Sequence, residues 1–178
     1  MIGAIFVDGG NASFSLKRKG GDLPERIDYA LLPKYVRWRI NRDSGASVGF
    51  PFKCYYAGYR DQADIDQRRD FSNALKREGW SVFDVQAKYI NAEGRWKDDQ
   101  VDMAMALDAY DLVLKNQLDA LVLLTHDSDF AALFKRVPRR VLRYVMGWTE
   151  WVAPELTSEA TLIPLDEAMK EVGYARQA

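Results

Sequence analysis

Residues 2–11 read IGAIFVDGGN, an apolar run that ends in an aspartate, two glycines and an asparagine. A continuous apolar run of this length is typical of a strand buried on both faces, as in a parallel sheet. Residues 120–129 read ALVLLTHDSD, so a second apolar strand is followed by hydroxyl and acidic side chains. The two stretches predict strands of a parallel sheet whose carboxyl ends carry polar residues.

Strand-like and helix-like segments alternate along the rest of the chain. Further strands are predicted at residues 52–57, 80–85 and 140–146, an edge strand at 161–163 and a hairpin across 88–96. Helices are predicted at residues 28–42, 61–78, 99–115 and 127–136, with a closing helix from Leu165. This alternation predicts an α/β fold with a mainly parallel sheet of about five strands.

The length of 178 residues suits one domain. We therefore expect a single domain over residues 1–178, in which residues 148–178 form a C-terminal extension packed on the remainder. The helix at 99–115 is apolar nearly all round, a pattern that predicts a buried helix. Residues 17–23 and 43–49 contain glycine or serine and are predicted to be loops.

Composition excludes several classes of protein. The chain carries 25 Lys and Arg against 26 Asp and Glu, a net charge of −1, so it is not a strongly basic histone-like binder. With one cysteine, Cys54, and no signal-like segment, the expected compartment is the cytoplasm. No apolar run approaches the roughly 18 residues that span a membrane. The single histidine, His126, excludes a histidine-rich zinc site, so carboxylates are expected to carry any chemistry.

Acidic side chains follow three segments that are expected to converge. Asp8 follows the first strand, Asp127 and Asp129 follow the strand at 120–124, and Asp102 lies in the first turn of the helix at 99–115. Ligands of an open α/β sheet bind outside the carboxyl ends of its strands. Clustered carboxylates repel one another unless a cation neutralises them. Hard oxygen ligands suit Mg²⁺ or Mn²⁺, which can activate water and stabilise charge during phosphodiester cleavage.

Helix geometry separates two of the acidic residues. At 100° and 1.5 Å per residue, Asp102 and Asp108 point about 120° apart and lie about 9 Å apart along the axis. One metal site is therefore not expected to use both directly. Asp102 is the better ligand candidate, whereas Asp108 is interpreted as a supporting group or as a buried partner of a basic residue.

Each of these residues also has a purely structural interpretation. Asp8 is compatible with a turn, and Asp127 or Ser128 with a helix N-cap. His126 is interpreted as an incidental turn residue. Asp102 is harder to explain this way, because an unpaired carboxylate inside an apolar helix is costly. It is the conjunction of three acidic segments that indicates chemistry, since no single segment does so.

The same residues resemble the NYN domain family. The similarity lies in three motifs: residues 6–11 (FVDGGN), Lys97 with residues 101–103 (VDM), and residues 125–130 (THDSDF). NYN domains are PIN-like ribonucleases, and their bacterial branch includes LabA-like proteins. The resemblance covers about residues 2–147. It implies a PIN-like three-layer α/β/α sandwich and metal-dependent cleavage of RNA by a cluster of aspartates.

The resemblance also implies a role for each matching residue. The catalytic residues, which would also hold one or two Mg²⁺ or Mn²⁺ ions, would be Asp8, Asp102, Asp127 and Asp129. Asn11 would orient a ligand or phosphate, and Lys97 would lie at the rim. Further supporting residues would be Asp108, Thr125 and Ser128. Two positions depart from the family pattern, since His126 and Gln100 stand where glycine is frequent. The side chain of His126 is larger than glycine and is expected to change either the access of substrate or the shape of the loop.

Basic residues near the acidic motifs indicate RNA as the partner. Their side chains would contact the phosphate backbone at modest affinity and with marked salt dependence. These residues are Lys17, Arg18, Lys19 and Arg95. A further basic group within residues 135–143 is open to interpretation as a solvated face. No membrane partner is expected, and a homo-oligomer or a protein partner is left open.

Other functional classes fit less well. A phosphatase of the haloacid-dehalogenase type needs a second aspartate two residues after the first, where this chain has Gly10. Two glycines without the rest of the motif do not make a dinucleotide-binding turn, and no P-loop is present. The main alternative is a catalytically silent RNA-binding or protein-interaction module on the same fold.

Overall fold

The central sheet positions every candidate site residue. The computed structural model describes residues 1–19, 26–90, 95–97 and 99–174. Within them, six strands form one fully parallel sheet. From edge to edge they are β4 (Ser81–Gln86), β3 (Gly49–Tyr59), β1 (Ile2–Asp8), β7 (Ala120–Leu124), β8 (Leu142–Gly147) and β9 (Thr161–Pro164). The α/β class is confirmed, and counting the predicted edge strand at 161–163, which is β9, the sheet has six strands rather than about five.

Helices cover both faces of this sheet. On one face pack α2 (Leu32–Ser44) and α7 (Leu165–Val172), and on the other pack α4 (Asp99–Leu114) and α5 (Ala131–Arg136). Two separate apolar cores result, one on each side of the sheet. The fold is therefore a three-layer α/β/α sandwich, as predicted.

Alternation along the strands divides the side chains between the two cores. In β1, Ile5 and Val7 enter the core beneath α2 and α7, whereas Ala4 and Phe6 enter the core beneath α4 and α5. All six residues from Gly3 to Asp8 are buried. This burial on both faces explains why the strand reads as a continuous apolar run.

The first helix includes the first three residues of a predicted loop, so the prediction is wrong there. It spans Gly9–Lys19 as α1 and follows β1 without a linker. Gly9 allows this, because a Cβ atom there would lie 2.4 Å from the ring of Tyr55. Lys17, Arg18 and Lys19 therefore form the last helical turn, where basic side chains complement the helix dipole. Residues 20–23, the remainder of the predicted loop, lie outside the described residues.

Helix α4 is not buried all round, contrary to the prediction. Its buried residues recur every fourth position, at Val101, Met105, Ala109 and Val113. Between them, Met103 is 61% exposed and Leu107 is 60% exposed. A helix in an outer layer has only one face against the sheet, so its remaining apolar side chains stay at the surface.

Shorter elements complete the chain. The predicted hairpin is present as antiparallel β5 (Lys88–Ile90) and β6 (Arg95–Lys97), while its turn at 91–94 lies outside the described residues. The helix predicted at 127–136 is a 3₁₀ turn at Ser128–Phe130 followed by α5. The remaining elements are α3 (Gln62–Arg77), α6 (Pro154–Thr157) and an antiparallel pair of β2 (Arg26–Ile27) with β10 (Gly173–Tyr174). In the part of the chain that is described, no helix combines the length and apolarity needed to span a membrane.

Candidate functional site

The carboxyl ends of β1 and β7 place the first and third motifs side by side. Val7 pairs with Leu124, so Asp8 and Thr125 follow at adjacent positions of the same edge. Asp8 is 7% exposed and Thr125 is fully buried. One carboxylate oxygen of Asp8 accepts the backbone N–H of Asn11 at 2.9 Å, the contact of an N-cap residue at the start of α1.

The loop after β7 is held by its own side chains. Thr125 Oγ1 accepts the backbone N–H of Asp127 at 3.2 Å, and Asp127 Oδ1 accepts the backbone N–H of Asp129 at 2.9 Å. Asp127 therefore caps the 3₁₀ turn while remaining half-buried, and Ser128 and Asp129 are exposed. These two contacts set the direction of the loop, and the second also holds the carboxylate of Asp127 in place.

His126 connects this loop to two other segments. Its backbone N–H donates to Oδ1 of Asn11 at 3.2 Å, and its ring Nδ1 bonds the same oxygen. Nε2 accepts the backbone N–H of Trp148 at 2.8 Å. These partners assign the proton to Nδ1 of a neutral ring. Burial lowers the pKa of His126 to about 4, against an opposing effect of Asp166.

The interpretation of His126 as incidental is therefore wrong. The ring ties the start of α1, the loop after β7 and the residue that follows β8 into one unit. Gly147 makes room for it, since a Cβ atom there would lie 3.0 Å from ring atoms of His126 and 2.4 Å from Val152. The bulky side chain of His126 is thus matched by a glycine at the end of the neighbouring strand.

A cleft between α4 and α5 collects three of the four predicted ligands. It has a volume of about 710 Å³, and Asp102, Asp127 and Asp129 line it together with Asp99. Asp8 does not line this cleft and lies instead at the buried strand end beside Thr125. Because α4 and α5 both begin at the carboxyl edge of the sheet, the acidic side chains share one end of the cleft.

The donor chemistry of this end suits a hard divalent cation. Among the described residues, no group of three or more His, Cys, Asp or Glu is arranged to hold a metal ion. Mg²⁺ usually takes one or two protein carboxylates and completes its shell with water and substrate phosphates. Asp102, Asp127 and Asp129 line one cleft without forming such a group, so one or two of these carboxylates, rather than all three together, fit a shell of this kind.

Of the two interpretations of Asp108, the buried partner of a basic residue is wrong. Asp108 accepts a hydrogen bond from the hydroxyl of Tyr56 at 2.6 Å, and no bond from it to a basic side chain occurs among the described residues. Tyr56 lies on β3 and is almost completely buried, whereas Asp108 is exposed. Burial, and then the bond to Asp108, raise the pKa of the Tyr56 hydroxyl. The carboxylate thus supplies the hydrogen-bond partner that a buried tyrosine needs.

The predicted RNA-contacting residues differ in their surroundings. Lys19 pairs with Glu150 at 3.0 Å and Asp166 at 3.5 Å, and its hydrogen bond to Glu150 is the main cause of its raised pKa. Arg18 lies over the ring of Trp151 at 4.9 Å, and Lys17 is exposed. The side chain of Arg95 lies outside the described part of the chain.

Lys97 is half-buried on β6. A second cation, Arg136, belongs to the basic group within residues 135–143 that the sequence left open to interpretation as a solvated face. Arg136 lines the same cleft as the acidic residues. It follows Asp129 by seven positions, which corresponds to two helical turns on one face. The spacing between Asp129 and Arg136 is visible in the sequence. It indicates a shared cleft only once α4 is known to face α5.

Comparison with known proteins decides the family. The NYN domain family matches residues 3–166, which is most of the chain. This chain belongs to the NYN domain family. The NYN match extends beyond the expected residue 147 and includes the edge strand β9. Membership places the protein in a PIN-like nuclease family.

One solved structure of similar fold comes from Vibrio parahaemolyticus. It is the crystal structure of a protein of unknown function, 21% identical in sequence, with a TM-score of 0.65. The match covers 92% of this NYN chain and 91% of the Vibrio chain. At this identity the likeness concerns the fold alone. No curated protein sequence matches this chain.

Proposed function

We propose that this NYN domain is a metal-dependent ribonuclease that hydrolyses RNA phosphodiester bonds at the acidic end of the cleft. The observation that carries the proposal is the meeting of Asp102, Asp127 and Asp129 on one cleft, from two separate segments of the chain. Asp8 lies at the neighbouring strand end and accepts the N–H of Asn11 in the first turn of α1, and Asn11 in turn bonds His126 of the same loop. Family membership supports a nuclease and an RNA substrate.

Asp102, Asp127 and Asp129 would hold one or two Mg²⁺ or Mn²⁺ ions. A bound divalent cation supplies Lewis-acid stabilisation of the phosphate and lowers the pKa of water. The capping contacts of Asp127 keep its carboxylate in place before substrate arrives. Asn11, held by the backbone and ring of His126, would orient a phosphate at the rim.

The catalytically silent RNA-binding module remains the second candidate. It is favoured by the lack, within the described ranges, of a cluster of three metal-ligating side chains. The two functions differ in one outcome, because a silent module binds RNA without metal-dependent turnover. Cleavage assays therefore separate them.

The test is degradation of a mixed RNA pool by pure protein with Mn²⁺ or Mg²⁺, compared with Asp102→Asn and Asp127→Asn. Asparagine keeps the cap at Asp127 while removing the charge, so the fold is expected to remain intact. Asp111→Asn is the matched control, since Asp111 lies on α4, pairs with Lys115 and does not line the cleft. Cleavage by the parent and by the control, with at least a 100-fold loss in both cleft variants, supports the proposal. Equal cleavage by all four proteins, or cleavage by none, contradicts it.

A further inference from the structure

An apolar wall adjoins the acidic end of the cleft. Met103 follows Asp99 by four positions and Leu107 follows Asp102 by five along α4, and both are about 60% exposed. Two large apolar side chains thus remain in contact with water on neighbouring turns, although burial of such side chains is favourable. The proposed catalytic carboxylates do not use this wall, so it has no role in the reaction as described above.

The facing wall comes from α5. Ala132 and Leu133 line the cleft opposite α4, and Ala106 and Tyr110 extend the α4 side. The volume of about 710 Å³ lies in the range of small-ligand sites. A planar group the size of a nucleobase can therefore lie between two apolar surfaces here.

The two ends of the cleft carry opposite charge. The acidic residues occupy the end at the sheet edge, and Arg136 lies on α5 roughly 10 Å farther along. Arg136 donates one of its five N–H groups to the carbonyl of Ala132 at 3.0 Å. An RNA backbone that enters the acidic end would thus meet a guanidinium beyond the apolar walls, which is the donor group best matched to a phosphate.

We infer that the apolar part of this cleft binds one unpaired base of single-stranded RNA, with Arg136 on a neighbouring phosphate. The inference rests on the proposed function, because the acidic end gives the RNA its position. A base held between two helices cannot pair with a complementary strand at the same time. The walls offer few hydrogen-bonding groups, so binding tolerates any base.

Leu107 and Leu114 provide a matched pair for the test. They lie two turns apart on the same face of α4, with exposures of 60% and 62%, yet only Leu107 lines the cleft. Leu107→Ser and Leu114→Ser therefore remove equal apolar surface from equally exposed positions. Arg136→Gln and Lys135→Gln form a second pair, since both side chains are exposed and only Arg136 lines the cleft.

The measurement is fluorescence anisotropy of a labelled single-stranded oligoribonucleotide and of its duplex, in the Asp127→Asn background with Mg²⁺ so that the RNA stays intact. We expect Leu107→Ser to weaken single-strand binding about tenfold, and Leu114→Ser to leave it within about twofold. Arg136→Gln is expected to lower the slope of log affinity against log salt by about 0.7, unlike Lys135→Gln. The duplex is expected to bind more weakly than the single strand.

Equal binding by Leu107→Ser and Leu114→Ser overturns the inference, as does an unmeasurable affinity of the background protein for the single strand. A change of oligomeric state in Leu107→Ser without a change in RNA binding also overturns it, because the wall then contacts protein. Cleavage by the parent reports separately on the proposed function. If the parent protein does not cleave RNA, the ribonuclease proposal is refuted. If Leu107→Ser nevertheless loses RNA binding in that case, the base-binding cleft is still supported.

Discussion

The two ends of the β1–β7 strand pair use aspartate in different ways. At the amino end, Asp119 accepts the backbone N–H of Ile2 through Oδ2 at 2.8 Å, and its own N–H donates to the Ile2 carbonyl at 2.7 Å. At the carboxyl end, Asp8 lies beside the loop whose Asp127 lines the ligand-sized cleft. The side chain is the same, but only the carboxyl end adjoins the start of α4 and α5. Strand direction, rather than residue type, thus distinguishes a structural carboxylate from a candidate catalytic one.

The largest expected difference between the two ends is in RNA cleavage. Asp127→Asn removes a charge from the loop at the carboxyl end that lines the cleft, and we expect a loss of cleavage rate of about 100-fold or more. Asp119→Asn removes a charge of the same kind from the amino end and is expected to change the rate less than about twofold. Initial rates with Mn²⁺ on one RNA measure both. Similar losses in the two variants would break the distinction.

Glycine substitutions sharpen the same comparison through stability. A Cβ atom at Gly9, at the carboxyl end of β1, would lie 2.4 Å from the Tyr55 ring, so Gly9→Ala is expected to cost about 1–3 kcal/mol. A Cβ atom at Gly49, beside the amino end of β1, meets nothing within 4 Å, and Gly49→Ala is expected to change stability by less than about 0.5 kcal/mol. Urea denaturation gives both values. A neutral Gly9→Ala would contradict the tight packing described for this end.

His126→Ala tests the hydrogen-bonded unit at the carboxyl end. Loss of the ring leaves the backbone N–H of Trp148, a fully buried residue, without its acceptor. We expect a loss of about 1–3 kcal/mol in the free energy of unfolding. Ser128→Ala, at an exposed position of the same loop, serves as the control and is expected to stay within about 0.5 kcal/mol. If the two variants unfold alike, His126 is the incidental residue that the sequence indicates.

The smallest effect is expected at the amino end itself. Asp119→Ala removes the acceptor for the exposed Ile2 N–H, which water can replace. The expected cost is about 0.5–1.5 kcal/mol, measured by the same denaturation. If Asp119→Ala lowers the free energy of unfolding by much more than His126→Ala does, the expected ranking of the two strand ends by stability effect is wrong.

Much of the fold was predictable because it is encoded locally. The apolar runs of β1 and β7 and the alternation of strands and helices indicate a parallel sheet without knowledge of distant contacts. The pair β2 and β10 was not predicted, because two-residue strands carry no pattern and form only where α7 brings Gly173 to Ile27. The exposure of Met103 was missed for a related reason, since an apolar side chain does not reveal which face its helix turns outward.

The candidate site divides in the same way. The positions of Asp8, Asp127 and Asp129 follow from strand ends, which a sequence pattern locates well. The role of His126 depends on Asn11, 115 positions away, and on the backbone of Trp148, so no local signal identifies it. The bond from Tyr56 to Asp108 likewise joins residues 52 positions apart, and a basic partner was one of the two interpretations that the sequence left open for Asp108.

The central claim is that the acidic end of the cleft binds a divalent cation. Anomalous diffraction from crystals soaked in Mn²⁺ tests it most directly. We predict an anomalous peak in contact with the carboxylate of Asp127 and with Asp102 or Asp129, and no peak at Asp119. A protein that cleaves RNA with Mn²⁺ but shows no peak at these carboxylates, or shows one only elsewhere, would contradict the account.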